Sequence, residues 1–240
     1  MDTTSYLALS RQVALQRHLT TIATNLANTS TTAYRAEHTL FEQALQRAGE
    51  PGRVTFVQDA ALVRDLDPGP ISKTGNPLDV ALDGEGYLAF ATPDGTRYGR
   101  AGRLELDATG QLVNAQGRAV LDEGGNPVVL PADDRAVTIG EDGTVANRAG
   151  PIARLGVWVF AHEQALRRVG EGLHVADEAP APAEGTRLVQ GALEESNVRP
   201  VLEMTAMLET MRAFEGTQRM LETEHELERQ AIERMIRVAG

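Results

Sequence analysis

Cysteine is absent from the 240-residue chain, which excludes disulfides, thiolate catalysis and cysteine-based zinc sites. Lysine is almost absent too: Lys73 is the only one, so arginine supplies nearly all the positive charge. That charge is outweighed, because 23 basic against 34 acidic residues leave a formal net charge of −11. A chain this acidic lacks the basic footprint that phosphate backbones require, and nucleic acid is not an expected partner. Aromatic residues make up only 4 %, although large cores draw much of their contact area from them. Small β-layers, and helices that pack elsewhere, are expected instead. The longest strongly apolar run, Leu155 to Ala161, is far short of the ~20 residues a membrane-spanning helix needs. The opening residues MDTTSYLALSRQVALQ lack the basic stretch, apolar core and small-residue cleavage site of a secretory signal. The expectation is a cytosolic chain, or one exported by a route that needs no cleaved signal.

Motifs of chemistry are equally scarce. The histidines are His18, His38, His162, His174 and His225. His162-Glu163 begins like a metalloprotease helix, but Leu166 stands where the second ligand is required; His225-Glu226 fails likewise at Arg229. Asp65-x-Asp67-x-Gly69 resembles the start of a calcium loop, yet Asn76 occupies the position of the bidentate acid. Gly84-Glu-Gly86 completes no dinucleotide fingerprint, and neither a phosphate-binding Gly-Lys-Ser/Thr nor a Gly-x-Ser-x-Gly elbow occurs. The acidic pairs Asp133-Asp134 and Glu194-Glu195 have the chemistry of glycoside hydrolysis, but adjacent acids are more often a solvated surface. No catalytic residue, cofactor site, metal site or small-molecule substrate is expected.

What is present is organisation. Residues 1–48 contain no proline, and glycine first appears at Gly49. Ala8, Leu15 and Ile22 recur every seven residues with Leu19 and Leu26 between them, an apolar stripe on one helix face. Asn25-Leu-Ala-Asn28-Thr-Ser-Thr-Thr ends the pattern with short polar side chains that compete for backbone hydrogen bonds. A short helix fits around Leu40 to Leu45. Residues 49–74 read as an extended connector, with a strand at Val54 to Val57 and a break at Asp67-Pro-Gly-Pro70.

From 75 to 189 the punctuation is that of an all-β domain. Apolar runs at Leu78–Leu82, Tyr87–Phe90, Leu104–Leu106, Val128–Leu130 and Val157–Phe160 alternate with turn signals. Those signals are Asp94-Gly95, Asp107-Ala-Thr-Gly110, Gly124-Gly-Asn-Pro127 and Asp142-Gly143. Residues 190–240 return to helix after Pro200, with Gly216 the one glycine in its interior. Met204, Leu208, Met211, Phe214, Gln218, Leu221, His225, Ile232 and Met235 form a narrow seam, and Glu203, Glu209 and Arg212 belong to the opposite, charged face. The fold class is therefore α+β. Two terminal helices pair into a coiled-coil-like domain and then meet neighbouring molecules, and a central β domain of short hairpins lies between them in sequence. An ordinary intramolecular helical hairpin is the competing arrangement.

Three segments, taken together and in order, resemble the flagellar rod and hook family of bacteria. The first is Asn25-Leu-Ala-Asn28-Thr-Ser-Thr-Thr-Ala-Tyr34-Arg35. The second is Gly75-Asn-Pro-Leu-Asp-Val-Ala-Leu-Asp83-Gly-Glu-Gly-Tyr87, continued by Tyr98-Gly-Arg-Ala-Gly102 and Asp107-Ala-Thr-Gly-Gln-Leu-Val113. The third is Gln190-Gly-Ala-Leu-Glu-Glu-Ser-Asn197-Val-Arg-Pro-Val-Leu-Glu-Met204, then Arg212-Ala-Phe-Glu215. Length, Tyr34-Arg35 and Asn197-Val-Arg-Pro200 look most like the proximal-rod type, with a distal-rod or hook-type subunit as the alternative. An alternative from another class is a carbohydrate-active β-domain enzyme with oligomerising ends. Departures from the family pattern are Thr24 and Arg199, each where asparagine is usual, and Ala33 where glycine is usual. At Ala33 either the turn needs no positive φ, or the residue is strained.

The resemblance implies a structural subunit that stacks helically into a hollow drive shaft required for motility. It implies other rod subunits as partners, self-association, passage through the flagellar type III export apparatus, and a place in the basal body as part of the periplasmic rod. The expected assembly interface is Leu15, Leu19, Ile22 and Leu26 on one helix and Met204, Leu208, Met211, Phe214 and Leu221 on the other. Asn25 and Asn28, at the helix break, either fix inter-subunit register or act as ordinary caps.

Overall fold

The glycine-free opening forms one helix, α1 (Asp2–Ala27), in which Thr20, Thr21 and Thr24 satisfy their hydroxyls on carbonyls four residues back. The computed structural model describes residues 2–48, 52–131 and 136–239; Asp133-Asp134 lie outside them. The chain divides into two compact units. One takes Met1–Ala27, Ala36–Asp65 and Val198–Gly240, and the other takes Asn28–Arg35 and Leu66–Asn197. The class is α+β, with one helix at each end of the chain and a many-stranded β unit between them in sequence.

In the first unit, α1 is followed by β1 (Glu37–Ala48) and β2 (Gly52–Arg64), an antiparallel ribbon running from Glu37 opposite Arg64 to Ala48 opposite Gly52. One extra residue, Ala60, is bulged out between the partners of Leu40 and Phe41. The short helix expected around Leu40–Leu45 is therefore strand. Its helical spacing is overridden by pairing with a following segment rich in β-branched residues. That segment is also far longer than the Val54–Val57 strand expected within a connector. The unit is completed by α2 (Pro200–Ala239), forty residues with proline in the first turn. Within this unit α1 packs against α2 and against both strands of the ribbon. No helix among the described residues is long and apolar enough to cross a membrane.

The second unit begins with β3 (Ile71–Lys73), β4 (Val80–Asp83), β5 (Tyr87–Thr92), β6 (Gly95–Gly99), β7 (Leu104–Leu106) and β8 (Leu112–Asn114). It continues with β9 (Thr138–Ile139), β10 (Thr144–Asn147), β11 (Gly150–Arg154), β12 (Val157–Val159) and a 3₁₀ turn at Glu163–Ala165. It ends with β13 (Arg167–Gly170), β14 (Leu173–Val175), β15 (Ala181–Pro182), β16 (Arg187–Gln190) and β17 (Ala192–Glu194). Among the described residues the largest sheet has six strands in the order β13-β14-β6-β5-β12-β15, beside a β11-β10-β9 sheet and the pairs β4–β16, β3–β17 and β7–β8. Four of the expected apolar runs fall on β4, β5, β7 and β12. The run Val128–Leu130 carries only an isolated bridge, Gln111 to Val129.

Turn chemistry closes these hairpins. Asp107 accepts hydrogen bonds from the Thr109 and Gln111 amides at 2.8 Å, Asn114 does the same for Gln116 and Arg118, and Asp122 for Asn126. Gly110 follows Asp107 at φ +84°, a conformation that glycine adopts without steric cost. The Gly75-Asn-Pro-Leu-Asp79 segment is organised the same way, its buried Asp79 held by Thr74 and Asn76. The core is aliphatic: Val80, Leu88, Leu104, Leu112, Val120 and Val145 are completely buried, and Phe90 is the one aromatic residue of that cluster. The shortage of aromatics thus shows itself as many small layers.

Candidate assembly interface

The faces of α2 divide the expected seam in two. Glu203, Thr210 and Thr217 are buried and Met207, Phe214 and Leu221 half-buried, two interleaved series at seven-residue spacing that turn inward within the first unit. Val201, Met204, Leu208 and Met211 are exposed, Leu208 by 57 %. At about 100° per residue these four lie within about 80° of one another, centred about 120° round the helix from the centre of the inward face. Phe214 and Leu221 therefore pack inside the chain, whereas Met204, Leu208 and Met211 form a separate apolar row facing outward. Glu203, expected on the charged face, is instead buried. On α1, Ala8 and Ile22 are buried and Leu15, Leu19 and Leu26 half-buried, while Leu9 and Val13 are exposed.

The most buried part of this inward face escaped a hydropathy reading because Glu203, Thr210 and Thr217 carry it. Thr210 and Thr217 bury their hydroxyls by donating to the Ala206 and Ala213 carbonyls at 2.7 and 3.0 Å. Asn25, only 1 % exposed, uses its amide like a peptide group. Its Nδ2 donates to the Glu37 carbonyl at 2.9 Å and its Oδ1 accepts from the Glu37 amide at 3.0 Å. The same Nδ2 lies 3.3 Å from Glu203 Oε1. Asn25 thus ties the end of α1 to the start of β1 and the first turns of α2. Asn28 accepts instead from the Thr31 amide and hydroxyl, at its backbone and side-chain oxygens. Both asparagines have intrachain partners; a role in register between subunits is a separate matter.

His18 faces this polar knot. Burial pushes its pKa below the usual histidine value, Glu203 pulls it partly back up, and His38 pushes it further down. A folded pKa below the unfolded value of about 6.5 means that, as the pH falls through that value, the unfolded chain takes up the proton first. The contribution is complete above about pH 6.5 and is lost progressively below it. Thermal melts followed on the helix signal should show a decline between about pH 7.5 and about pH 5.5 that is smaller in His18→Gln. Identical pH profiles for the two proteins would remove His18 from the account.

The second unit contains two buried arginine sites that no local motif announces. Arg100 and Glu194, whose side chains are each 1 % exposed, pair at 2.7 Å. Arg100 also donates from Nη1 to the Gly86 carbonyl at 2.7 Å and from Nη2 to the Leu82 carbonyl at 3.2 Å, and the Gly69 amide donates to Glu194. Glu194 is thus a core residue and not part of the solvated acidic surface expected for Glu194-Glu195; Glu195 is exposed. Arg35, from the first family-like segment, pairs with Glu163 at 2.5 Å, and the Tyr87 hydroxyl donates to the same carboxylate oxygen. Beside it the Arg168 guanidinium lies 4.9 Å from the centre of the Tyr34 ring. Ala33 has φ +54°, so of the two readings of that departure the strained one holds.

A cleft of about 510 Å³ is lined in part by Glu123, Asp142, Arg154, Trp158 and Arg187. Its charges are largely engaged: Arg154 pairs with Glu123 at 3.3 Å and Arg187 with Asp83 at 2.7 Å. Hydrogen bonds from Thr144 hold the Asp142 carboxyl below the usual range, the reverse of what a general acid needs. Among the described residues no group of three or more His, Asp or Glu side chains is placed to hold a metal ion.

Comparison with known proteins gives two family matches. Residues 81–147 match the family described as flagellar hook protein FlgE/F/G D1 domain, and residues 189–234 match flagellar basal body rod FlgEFG protein C-terminal. The flagellar basal-body rod protein FlgF of Caulobacter vibrioides is 36 % identical, over 98 % of this chain and 98 % of its own. That of Mesorhizobium japonicum is 36 % identical, over 90 % and 91 %. The flagellar basal-body rod protein FlgG of Bacillus subtilis is 29 % identical, over 92 % and 95 %.

Proposed function

Because the chain belongs to the family of flagellar basal-body rod proteins of the FlgF type, we propose that it builds the proximal part of the rod by packing its terminal helices against those of its neighbours. The observation that carries this reading is the outward apolar row Val201, Met204, Leu208 and Met211 on α2. Burying a side chain of that size contributes about 1.5–3 kcal/mol. The inward face, repeating every seven residues, supports a coiled-coil-like pairing of α1 with α2 that presents this row. Contacts between unlike surfaces of successive copies, and of related rod subunits, do not close on themselves and so propagate as a helix. Asn25 and Asn28 then fix register indirectly, by holding the end of α1 in place.

The family is a structural one, and the work proposed here is mechanical, with no catalytic step. Export by the flagellar type III apparatus, without a cleaved signal, would bring the subunit to the periplasmic rod. The test is location and consequence together. Tagged protein should co-purify with intact basal bodies, at the end of the rod nearest the inner membrane by immunogold labelling, and its deletion should abolish motility. Label at the far end of the rod would favour the distal-rod assignment, and a motile deletion strain with complete rods would reject the reading.

A further inference from the structure

The two buried arginines of the second unit are held differently. Arg100 is satisfied at Nε, Nη1 and Nη2. Arg35, whose side chain is 6 % exposed, bonds Glu163 through Nη1, but its buried Nε has no hydrogen-bond partner among the described residues. An unsatisfied donor on a buried charge opposes the pairing that buries it. The loop that brings Arg35 in also holds Ala33 at φ +54°, a conformation that disfavours any residue with a Cβ. Further contacts anchor it, among them Arg35 over the Tyr87 ring at 5.9 Å. The Ala33 amide donates to the Glu194 carbonyl at 2.8 Å, the Asn197 amide donates to the Tyr34 carbonyl at 3.1 Å, and Arg168 covers the Tyr34 ring. Glu163 sits in a 3₁₀ turn that has no buried residue.

We infer that Asn28–Arg35 is a clasp on the β unit, fastened by Glu163 and poised to open without unfolding the sheets beneath it. Two unfavourable features, the strained Ala33 and the orphaned Arg35 nitrogen, raise the energy of the closed state only. Opening relieves both and leaves the Arg100–Glu194 network untouched. The clasp begins directly after Ala27, the last residue of α1, so it is the link following that helix which is released. The clasp is a property of the single chain, whether or not that chain joins a rod.

Amide exchange on the full-length protein, read by mass spectrometry over residues 28–35 and 112–120, tests this. The Ala33 and Tyr34 amides should exchange at least about tenfold faster than those of Leu112 and Val120. Glu163→Gln should speed the loop a further tenfold or so, with Val120 changed less than about twofold. Ala33→Gly, which accepts positive φ without strain, should slow the loop about fivefold. Loop amides that exchange only at the rate of Val120, or a loop rate unmoved by Glu163→Gln, would overturn the clasp. Should the Glu163 variant fail to fold, the Ala33 variant decides. Slowing confined to the loop supports the clasp, and slowing shared with Val120, or none, overturns it.

Discussion

Arg100→Met should destabilise the second unit by about 3–5 kcal/mol, the usual cost of leaving one member of a buried ion pair behind. That is a large part of the about 5–15 kcal/mol by which domains of ordinary size are stable. Glu194 would keep the Gly69 amide at 3.2 Å but lose its counter-charge in a site from which water is excluded. The Gly86 and Leu82 carbonyls, which Arg100 satisfies, would lose partners as well. Trp158, the single tryptophan of the chain, lies on β12 of the same unit and reports its unfolding in a denaturant titration. The double variant Arg100→Met, Glu194→Leu separates charge from shape. Replacing both members of a buried pair by apolar residues is often close to neutral, so it should regain most of the loss, less a contribution for the two carbonyls. A single variant within about 1 kcal/mol of the native protein would mean that water or rearrangement reaches the site.

How far sequence could lead depended on which physical term dominated at each place. The β unit was legible because its turns are local chemistry. Asp107 and Gly110 declare their hairpin within four residues, and the strand beside it, Leu104–Leu106, was bounded correctly. The stripe Ala8, Leu15, Ile22 was legible because its apolar residues recur every seven positions along α1. The inward face of α2 was legible only at Phe214 and Leu221, since Glu203, Thr210 and Thr217 sit where hydropathy points to solvent, and their partners Asn25, Ala206 and Ala213 lie outside any local pattern. The strand around Leu40–Leu45 was missed because its identity is decided by pairing with Thr55–Ala61, a tertiary influence on an ambiguous local pattern. Glu194 was misplaced for a similar reason. Its partner lies 94 residues away, and an acidic pair looks alike whether one member is buried or both are solvated. Within the family-like segments, Arg35 pairs with Glu163 and Asn25 bonds Glu37 as a peptide group would, contacts that no spacing in the sequence announces.

Leu208→Glu should abolish incorporation into the rod, and with it motility, while leaving the free chain as stable as before. Leu208 is 57 % exposed, so in the unassembled protein the new carboxylate remains in water, and surface changes of this kind usually stay within about 0.5 kcal/mol. In the proposed interface the same change removes about 1.5–3 kcal/mol of apolar burial and adds the desolvation of a charge, a further cost of several kcal/mol where no partner meets it. Even 3 kcal/mol weakens a contact more than a hundredfold, and every subunit added to a growing shaft meets it again. Phe214→Glu is the informative contrast. Phe214 belongs to the half-buried inward face, so a charge there should lower the melting temperature of the helical unit in the free chain, before any assembly. The two variants therefore fail at different stages: the first is folded but excluded from purified basal bodies, the second already destabilised in dilute solution. Motile cells with complete rods containing the Leu208 variant would show that the outward row is not an assembly surface. Equal destabilisation of both free proteins would show instead that α2 uses a single face, and that Met204, Leu208 and Met211 are closed over within the chain.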